Sequence, residues 1–363
     1  MTLFIGDSEI NRVLPMADCI AAMERAFAEE ARGEAANQPR ARYKVPPDPN
    51  VPGYMANIIA GAVPSSGVAA LRYDSTVVQE RVVHGQKRLD WLMPSRRSWG
   101  FVLLFSLATG EPLALIQDFS LSALRVGATT GVAVRALARR DATRVGLLGS
   151  GNEARRNLEA ICLVRKVRAV KVYSPNAEHR REFAEEMTER LGVEVQMVGS
   201  AREAIEDADV IMSATSASQP VFDGAWLRPG QMVITIANTD GVHRRTEADD
   251  TTMERCDLLV LNSRQTLLTN QQRELLDLID AGRVSWDKIT ELGQVVAGQH
   301  PGRTSDAQIV YYKSNTGVGI QFAAAGALIY EACKQQGLGH EVPTEWFGAD
   351  LGGWLDRGFN PSP

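Results

Sequence analysis

Hydrophobic and polar positions in the N-terminal third predict a mixed α+β unit. A helix begins at Pro15 and ends at Gly33, since each of these residues suits that end of a helix. The helix has one apolar stripe, formed by Met16, Cys19, Ile20, Met23 and Phe27. Residues 68–78 have strand character, and residues 100–107 and 113–117 form a hairpin through a Thr-Gly-Glu-Pro turn.

Further along, a helix rich in Ala and Leu is predicted at 120–139, and strands then alternate with helices. The predicted strands are short runs of Val, Ile and Leu, at 145–148, 170–173, 193–198, 210–213, 233–236 and 258–261. The helices between them are predicted at 153–164, 178–191 and 201–208. Continuous apolar strands separated by helices are typical of a parallel sheet covered on both faces.

The fold class predicted from this pattern is α/β, with a Rossmann-type doubly wound parallel sheet over residues 126–315 plus a discontinuous α+β domain. A further helix of small residues runs from 316 to about 333. A lone helix with a short tail cannot form a core of its own. We therefore expect residues 316–363 to fold back onto residues 1–125.

Charge and hydropathy narrow the class of protein. Among 363 residues, 39 Lys and Arg stand against 44 Asp and Glu, a formal net charge of −5. Nucleic-acid and anionic-membrane partners need a basic face, so this balance argues against both. No apolar run approaches the ~20 residues of a membrane span, and residues 1–15 lack the basic start of a secretory signal.

The cysteines and histidines give no sign of a disulfide or a metal site. The four cysteines are far apart and form no CxxC pair, which is typical of free thiols in a cytoplasmic protein. The five histidines form no HExxH motif or His/Cys cluster, so no metal is expected. A GxSxG nucleophile elbow and a GxxxxGK[ST] phosphate loop are also missing from the sequence.

The strongest local motif is a glycine-rich turn between the strand at 145–148 and the helix at 153–164. It is a GxGxxA pattern, formed by Gly149, Ser150, Gly151, Asn152, Glu153 and Ala154. The first glycine permits a tight turn, the second lets the backbone approach a pyrophosphate, and the alanine keeps helix and strand close. The helix N-terminus offers N–H groups to the phosphates. The motif predicts a dinucleotide site, with a plain structural turn as the alternative.

The residues after the second strand bear on the choice between NADP and NAD. An NAD site usually has an acid here, about 20 residues after the glycines, to bind the ribose 2′-hydroxyl. This sequence instead has Ser174 and Asn176, which can hydrogen-bond a phosphate, and Arg180 or Arg181 could add positive charge. We therefore expect NADP. NAD is the alternative, because both arginines could be ordinary solvated positions and Glu178 could serve a ribose.

A series of motifs covers most of the chain from about residue 67 to 330. They are LLFSLATGEPLALIQD at 103–118, LSALRVG at 121–127, the glycine turn, ADVIMSATSASQP at 208–220, and the stretches at 296–303 and 316–325. In their order and spacing they resemble the ornithine cyclodeaminase/mu-crystallin family. The resemblance implies that residues 126–315 hold a nicotinamide cofactor. It also implies that residues 1–125 plus 316–363 bind the substrate and form a homodimer.

The same resemblance implies chemistry at a C=N or CH–NH bond. Members reduce imino acids, oxidise amino acids, cyclise ornithine with tightly held NAD, or bind ligands. We expect an NAD(P)H-dependent oxidoreductase that acts on a small imino or amino acid. A cyclodeaminase-like ammonia lyase with bound NAD and a non-catalytic mu-crystallin-like binding protein are the alternatives.

Two arginines are expected to hold the substrate. Arg125 matches the family's carboxylate-binding Arg, although it could instead pair with an acid such as Asp118. A guanidinium suits a carboxylate because its fork donates two parallel hydrogen bonds. Arg72 falls where better-known members place a Lys near the reacting nitrogen. Since Arg stays protonated, we expect it to be a second carboxylate or phosphate clamp rather than an acid.

The proton donor then has four candidates: Lys44, Tyr73, Asp240 or water. Lys44 lies in a basic stretch with Arg40 and Arg42, for which a solvated strand face is the alternative. Asp240 follows a predicted strand, in a loop that should face the nicotinamide, although an Asp before Gly is also common in turns. Further cofactor contacts are expected from Ser213, Thr215, Asn315 and Thr316.

Overall fold

Two β-sheets, each with its own helices, organise the fold. The computed structural model describes residues 1–48, 50–83, 86–92, 95–239 and 245–351. The strands are β1 (Thr2–Ile5), β2 (Ala36–Asn37), β3 (Ala41–Val45), β4 (Gly53–Val63), β5 (Val68–Val83), β6 (Gln86–Leu92), β7 (Trp99–Ser106), β8 (Pro112–Gln117), β9 (Arg144–Leu148), β10 (Ala169–Tyr173), β11 (Val195–Met197), β12 (Val210–Ser213), β13 (Met232–Thr235), β14 (Leu258–Leu261), β15 (Ile289–Glu291), β16 (Val310–Lys313) and β17 (His340–Val342). The α-helices are α1 (Asp7–Val13), α2 (Met16–Ala31), α3 (Phe119–Leu137), α4 (Asn152–Val164), α5 (Ala177–Leu191), α6 (Ala201–Ile205), α7 (Asp250–Arg255), α8 (Arg264–Thr269), α9 (Arg273–Asp280), α10 (Leu292–Val296) and α11 (Gly319–Gln336).

The first sheet takes its strands from both ends of the chain. Its order is β17-β1-β8-β7-β5-β4-β2, with β3 paired to β4 and β6 to β5. β1 pairs in parallel with β8 and antiparallel with β17. The C-terminal helix α11 packs against β4, β5 and α2. The last helix therefore lies on the N-terminal sheet, as its isolation in the sequence predicts.

The second sheet is parallel, with the order β11-β10-β9-β12-β13-β16-β14-β15. Its strands are buried runs of apolar residues, as a sheet with helices on both faces requires. The predicted α/β class with a Rossmann-type sheet is confirmed. Helix α3 connects the two sheets, and it packs against α2 on one side and α4 on the other.

The parallel sheet has two strands after the one predicted at 258–261, so the prediction that the sheet ends there was wrong. β16 lies between β13 and β14, and β15 forms the edge beyond β14. The error has a physical cause: the β16 sequence VYYK ends in a lysine, which suggests solvent, yet Lys313 is only 2% exposed. Its ammonium is 3.1 Å from a carboxylate oxygen of Glu274, so a buried ion pair permits a lysine in this strand.

The first sheet was also predicted incompletely. β4 (Gly53–Val63) pairs with β5 along its whole length, but its small residues obscure the alternation that marks a strand. Helix boundaries differ by a few residues at the ends, for example where α11 begins at Gly319 and α6 ends at Ile205.

The structure gives the state of the cysteines and the character of the helices. The four cysteines are free: Cys19, Cys256 and Cys333 are buried and Cys162 is half-buried. Of the helices in the described ranges, none combines the length and the apolar character that crossing a bilayer would require.

Candidate active site

The glycine turn joins β9 to α4 at the carboxyl edge of the parallel sheet. Gly149 has φ of +112°, a backbone conformation that favours glycine, and a Cβ there would lie 2.2 Å from the Ala214 carbonyl oxygen. Its N–H donates to the Tyr173 carbonyl at 2.8 Å, which ties the turn to β10. The first glycine is therefore required by both backbone conformation and space.

The second half of the turn, at Gly151, has open space beside the backbone and uncapped N–H groups at the start of α4. A Cβ on Gly151 would meet no atom within 4 Å, so the backbone is open to a ligand here. Gly151 is the residue before α4, and no side chain caps the N–H groups of the helix's first turn. An open backbone beside an uncapped helix N-terminus fits the pyrophosphate of a dinucleotide.

The tip of β10 presents polar groups next to this turn. The hydroxyls of Ser150 and Ser174 are 2.9 Å apart, and Asn176 caps α5 by accepting from the His179 N–H at 3.1 Å. Arg180 donates to the Ser174 carbonyl at 2.5 Å, and its guanidinium lies 5.4 Å from the centre of the Tyr173 ring. Arg180 is thus held against the strand tip where a ribose would lie.

The neighbouring Arg181 and Glu178 are engaged with each other on the exposed side of α5. Arg181 Nη2 is 2.6 Å from a Glu178 oxygen, and its Nη1 bonds Glu185 at 2.7 Å. The pKa of the Glu178 carboxyl is lowered by its hydrogen bond with Arg181 and by that charge. Of the three charged residues expected near the tip of β10, only Arg180 contacts the strand tip. Glu178 and Arg181 pair with each other on the exposed side of α5.

The ends of β12 and β13 are held together by a buried carboxylate. Glu247 accepts hydrogen bonds from the N–H and hydroxyl of Thr215, at 2.6 and 2.8 Å. Its other oxygen accepts from the N–H groups of Ile236 and Ala237, at 2.9 and 2.8 Å. Burial raises the pKa of Glu247, while these donors act in the opposite direction. Thr215 is thereby fixed at the sheet edge, and nearby Ser213 has a buried hydroxyl without a partner.

Asn315, expected near the cofactor, uses its amide inside the protein. Its Oδ1 accepts from the N–H groups of Asn262 and Ser263, at 3.0 and 3.1 Å. Its Nδ2 donates to the Ser263 carbonyl and to Gln272, each at 2.9 Å. The hydroxyl of Thr316 is likewise directed to the Gly317 carbonyl, at 2.9 Å. In this structure Asn315 fixes the chain between β16 and α11.

In the first sheet, Arg72 of β5 forms a buried ion pair with Asp118. Nε and Nη2 donate to the same Asp118 oxygen, at 2.8 and 2.6 Å. Nη2 is also 3.4 Å from a carboxylate oxygen of Asp74. Burial acts to lower the pKa of Arg72, but the charges of Asp118 and Asp74 prevail and raise it. The charge of Arg72 is balanced inside the protein.

Arg125 of α3 has no such balance. Its guanidinium donates to Gln321 at 3.0 Å and to the Ser122 hydroxyl at 3.2 Å, and its Nε is buried without a partner. None of the described carboxylates forms an ion pair with it. Burial, followed by repulsion from Arg72, lowers its pKa to about 10. A buried cation without a counter-ion can receive a carboxylate from a ligand.

The two arginines share one aromatic ring. Phe322 of α11 has the Arg125 guanidinium 4.8 Å and the Arg72 guanidinium 5.5 Å from its ring centre. A Cβ on Gly317 would come within 2.7 Å of Arg125 Nη1, so a side chain there would displace the guanidinium. The start of α11 thus positions the expected carboxylate site.

Lys44 and Tyr73 are engaged away from this pair. The Lys44 ammonium donates to the carbonyls of Pro46, Asp48 and Val51, at 2.9, 2.5 and 3.0 Å. The Tyr73 hydroxyl is 2.9 Å and 2.7 Å from those of Tyr43 and Tyr54. Because side chains alternate along a strand, Tyr73 lies on the face of β5 opposite to Arg72.

Arg42, another residue of the predicted basic stretch, lies on β3. Arg42 donates to Asn57 at 2.5 Å, and Asn57 donates to Asp74 at 2.8 Å, so that a polar chain on one face leads to Arg72. Asp240 lies outside the described residues.

Four residues that shape the site were not predicted from the sequence. Gln321 and Phe322 position Arg125, Glu247 joins the strand ends, and the Glu274 carboxylate pairs with Lys313. Gln321 also donates to the Thr129 hydroxyl at 2.6 Å, which locks α11 to α3. Gln321 could have been found, because it is a polar side chain within the run of small residues at 316–333. Glu247 and Glu274 look like ordinary surface acids in the sequence, and no neighbouring residue indicates that they are buried.

Known proteins are similar to this chain over most of its length. A family model described as the ornithine cyclodeaminase/mu-crystallin family matches residues 2–337. A Delta(1)-pyrroline-2-carboxylate reductase of Bacillus cereus is 30% identical over 269 residues, 74% of this chain and 78% of that protein. The iminosuccinate reductase of Paracoccus denitrificans is 28% identical over 340 residues, 94% of this chain and 99% of that protein.

A solved structure shows the same fold with ligands bound. The Thermococcus litoralis Delta(1)-pyrroline-2-carboxylate reductase, in complex with NADH and L-proline, superposes with a TM-score of 0.81 at 29% identity. The match covers 94% of this chain and 100% of that chain.

Proposed function

The chain belongs to the ornithine cyclodeaminase/mu-crystallin family, and from this we propose that it is an NAD(P)H-dependent oxidoreductase that reduces the C=N bond of a small imino acid. The reverse reaction is oxidation of the CH–NH bond of the corresponding amino acid. The observation that carries the proposal is Arg125, a buried cation without an internal carboxylate. Relatives that are imine reductases support it.

The chemistry needs few protein groups. A reduced nicotinamide supplies the hydride. Arg125 would bind the substrate carboxylate through its guanidinium fork, with Gln321 and Phe322 fixing its orientation. Arg72 is neutralised by Asp118, so its remaining N–H groups would orient the substrate without adding net charge. Most of the rate gain would then come from positioning.

The cofactor that we propose is NADP rather than NAD. Ser174 and Arg180 lie at the tip of β10, and no acid stands there in residues 173–177. The 2′-phosphate of NADP would receive hydrogen bonds from Ser174 and a charge-assisted bond from Arg180. Glu178, which could bind a ribose hydroxyl, is paired with Arg181 instead.

We propose further that two copies of the chain associate through the outer face of the first sheet. The strands there expose large apolar side chains, including Tyr43, Trp99 and Phe101, which are 42%, 59% and 40% exposed. Patches of this kind mark protein interfaces. The domain division, residues 1–125 plus 316–363 against 126–315, would give each copy one dimerising and one cofactor-binding unit. Phe101→Asp should convert a dimer to a monomer in analytical ultracentrifugation.

The activity can be tested directly. Purified protein is incubated with NADPH or NADH and a panel of imines: pyrroline-2-carboxylate, and pyruvate with methylamine or ammonia. Loss of the absorbance of the reduced cofactor, dependent on the imine, is the expected result. Ornithine turnover without net change of cofactor would show a lyase instead. Cofactor binding with neither reaction would show a binding protein.

A further inference from the structure

Glu153 is an acid inside the glycine turn whose carboxyl group is hydrogen-bonded to no described residue. It lies in the first turn of α4, and its Oε2 is buried without a partner. An unpaired buried carboxyl oxygen is costly, and such groups in a native protein call for an explanation. A purely structural role would be served by a carboxyl that pairs with a neighbour, as Glu247 does.

Charges from several elements act on Glu153. Arg125 of α3, Arg245 in the chain after β13 and Arg156 of its own helix favour its charged form. Asp118 at the start of α3 contributes the opposing charge. Burial is the largest effect and, against the three arginines, raises the pKa of Glu153 to about 7. A group with this pKa can both give and regain a proton near neutrality.

The other described groups near the arginines are poor proton donors. Arg72 and Arg125 stay protonated over the working range of an enzyme. Asp118 accepts two hydrogen bonds from Arg72, and Asp74 accepts one from Asn57. The three N–H donors of Lys44 are directed to backbone carbonyls.

We propose that Glu153 is the proton donor of the reduction. The inference rests on the proposed function. In the step, the carboxylic acid O–H bond of Glu153 breaks and its proton joins the imine nitrogen. The hydride and its electron pair add to the imine carbon from the reduced nicotinamide, which becomes the cationic oxidised ring. The products are an amine and a Glu153 carboxylate, which regains its proton from solvent.

The position of Glu153 beside Arg125 couples proton uptake to substrate binding. In the free site the positive charge of Arg125 favours the Glu153 carboxylate. A substrate carboxylate on Arg125 neutralises that charge, and the protonated form of Glu153 then becomes more favourable. Glu153 therefore takes up a proton when the imino acid binds.

This coupling is tested by calorimetry, independently of turnover. The probe is pyrrole-2-carboxylate, a planar ring carboxylate without a reducible C=N bond, titrated into NADPH-loaded protein near pH 7 in buffers of different ionisation enthalpy. The wild type should take up a fraction of a proton on binding. Glu153→Gln should bind the probe with little proton uptake, whereas Glu185→Gln, at an exposed position of α5, should behave as the wild type. Unchanged uptake in Glu153→Gln, or its loss in Glu185→Gln, would overturn the proposal.

Kinetics give the second measurement. For the wild type, kcat/KM of reduction should fall as pH rises above about 7, because the acid form of Glu153 is then lost. Glu153→Gln should lower kcat by about 10²–10⁴-fold and remove this limb. Glu153→Asp should recover part of the rate, and NADPH affinity measured by fluorescence reports that each variant is folded. A wild type without imine-dependent turnover would refute the proposed function, whereas an active Glu153→Gln with an unaltered pH profile refutes this inference alone.

Discussion

Arg72 directs two hydrogen bonds to a single oxygen of Asp118, from Nε at 2.8 Å and Nη2 at 2.6 Å. The pairing decides which of the two site arginines keeps a net charge for a ligand. Asp118 is the residue before α3, where a carboxylate often caps the helix, yet its side chain makes no capping bond. It serves Arg72 instead, and Arg125, about two turns further along α3, is left without a hydrogen-bonded carboxylate.

Arg125→Ala should abolish turnover while leaving NADPH affinity nearly intact. Loss of a buried charge partner costs about 2–5 kcal/mol, so kcat/KM should fall by about 30-fold or more. Steady-state kinetics and fluorescence titration with NADPH provide the two measurements. A collapse of NADPH binding would show that Arg125 serves the cofactor rather than a substrate carboxylate.

Asp118→Asn should destabilise the protein by about 3 kcal/mol, because it leaves the Arg72 charge buried with a weaker partner in Asp74. Urea unfolding measures the change in the free energy of unfolding. Glu185→Gln is the matched control, since it removes the partner of an exposed arginine, and should cost less than about 1 kcal/mol. Equal stability of the two variants would contradict the role assigned to the buried pair.

Arg180→Ala should separate the two cofactors. A hydrogen bond to a charged group contributes about 1.5–3 kcal/mol, so NADPH affinity should fall by roughly 10- to 150-fold while NADH affinity changes little. Arg181→Ala controls for charge, because Arg181 is paired with Glu178 and Glu185. If both variants bind NADPH equally well, the 2′-phosphate is not recognised at the tip of β10.

Stability should depend on pH through Glu30 of α2. Burial, and then the charge of Glu291, raise the pKa of Glu30 from 4.5 to about 8. A raised carboxyl pKa stabilises the fold below pH 4.5, and this contribution is lost as pH rises from 4.5 to about 8.

Glu30→Gln should therefore reduce the loss of unfolding free energy between pH 5 and pH 8, by about 1–3 kcal/mol. Urea unfolding at both pH values gives the difference. The exposed Glu34 serves as control, and Glu34→Gln should leave the pH dependence of the wild type in place. A pH dependence unchanged by Glu30→Gln would refute the assignment.

Local features could be predicted from the sequence. Gly149, Gly151 and Ala154 stand within a few residues of each other, and the structure has the predicted turn between a strand and a helix there. Hydrophobic periodicity likewise predicted most of the parallel sheet, since its strands are short runs of Val, Ile and Leu.

Contacts between residues that are distant along the chain could not be predicted from the sequence. Arg72 and Asp118 become neighbours only when β5, β7 and β8 pair. The sequence had suggested Asp118 as an alternative partner of Arg125, and the pairing with Arg72 was not predicted. The acid Glu247 becomes buried only because β12 and β13 lie side by side. These contacts follow from tertiary structure, and no local pattern encodes them.

The pairing of β1 with β17 has a consequence for how the chain is made. During synthesis, all strands of the parallel sheet leave the ribosome before α11 and β17 are made. Until then, the face of the first sheet that α11 covers is exposed. Such surfaces attract chaperones. A stalled chain that ends before Gly319 should therefore bind more of a hydrophobic dye than the 363-residue chain does, because α11 is then not there to cover the apolar face of the first sheet.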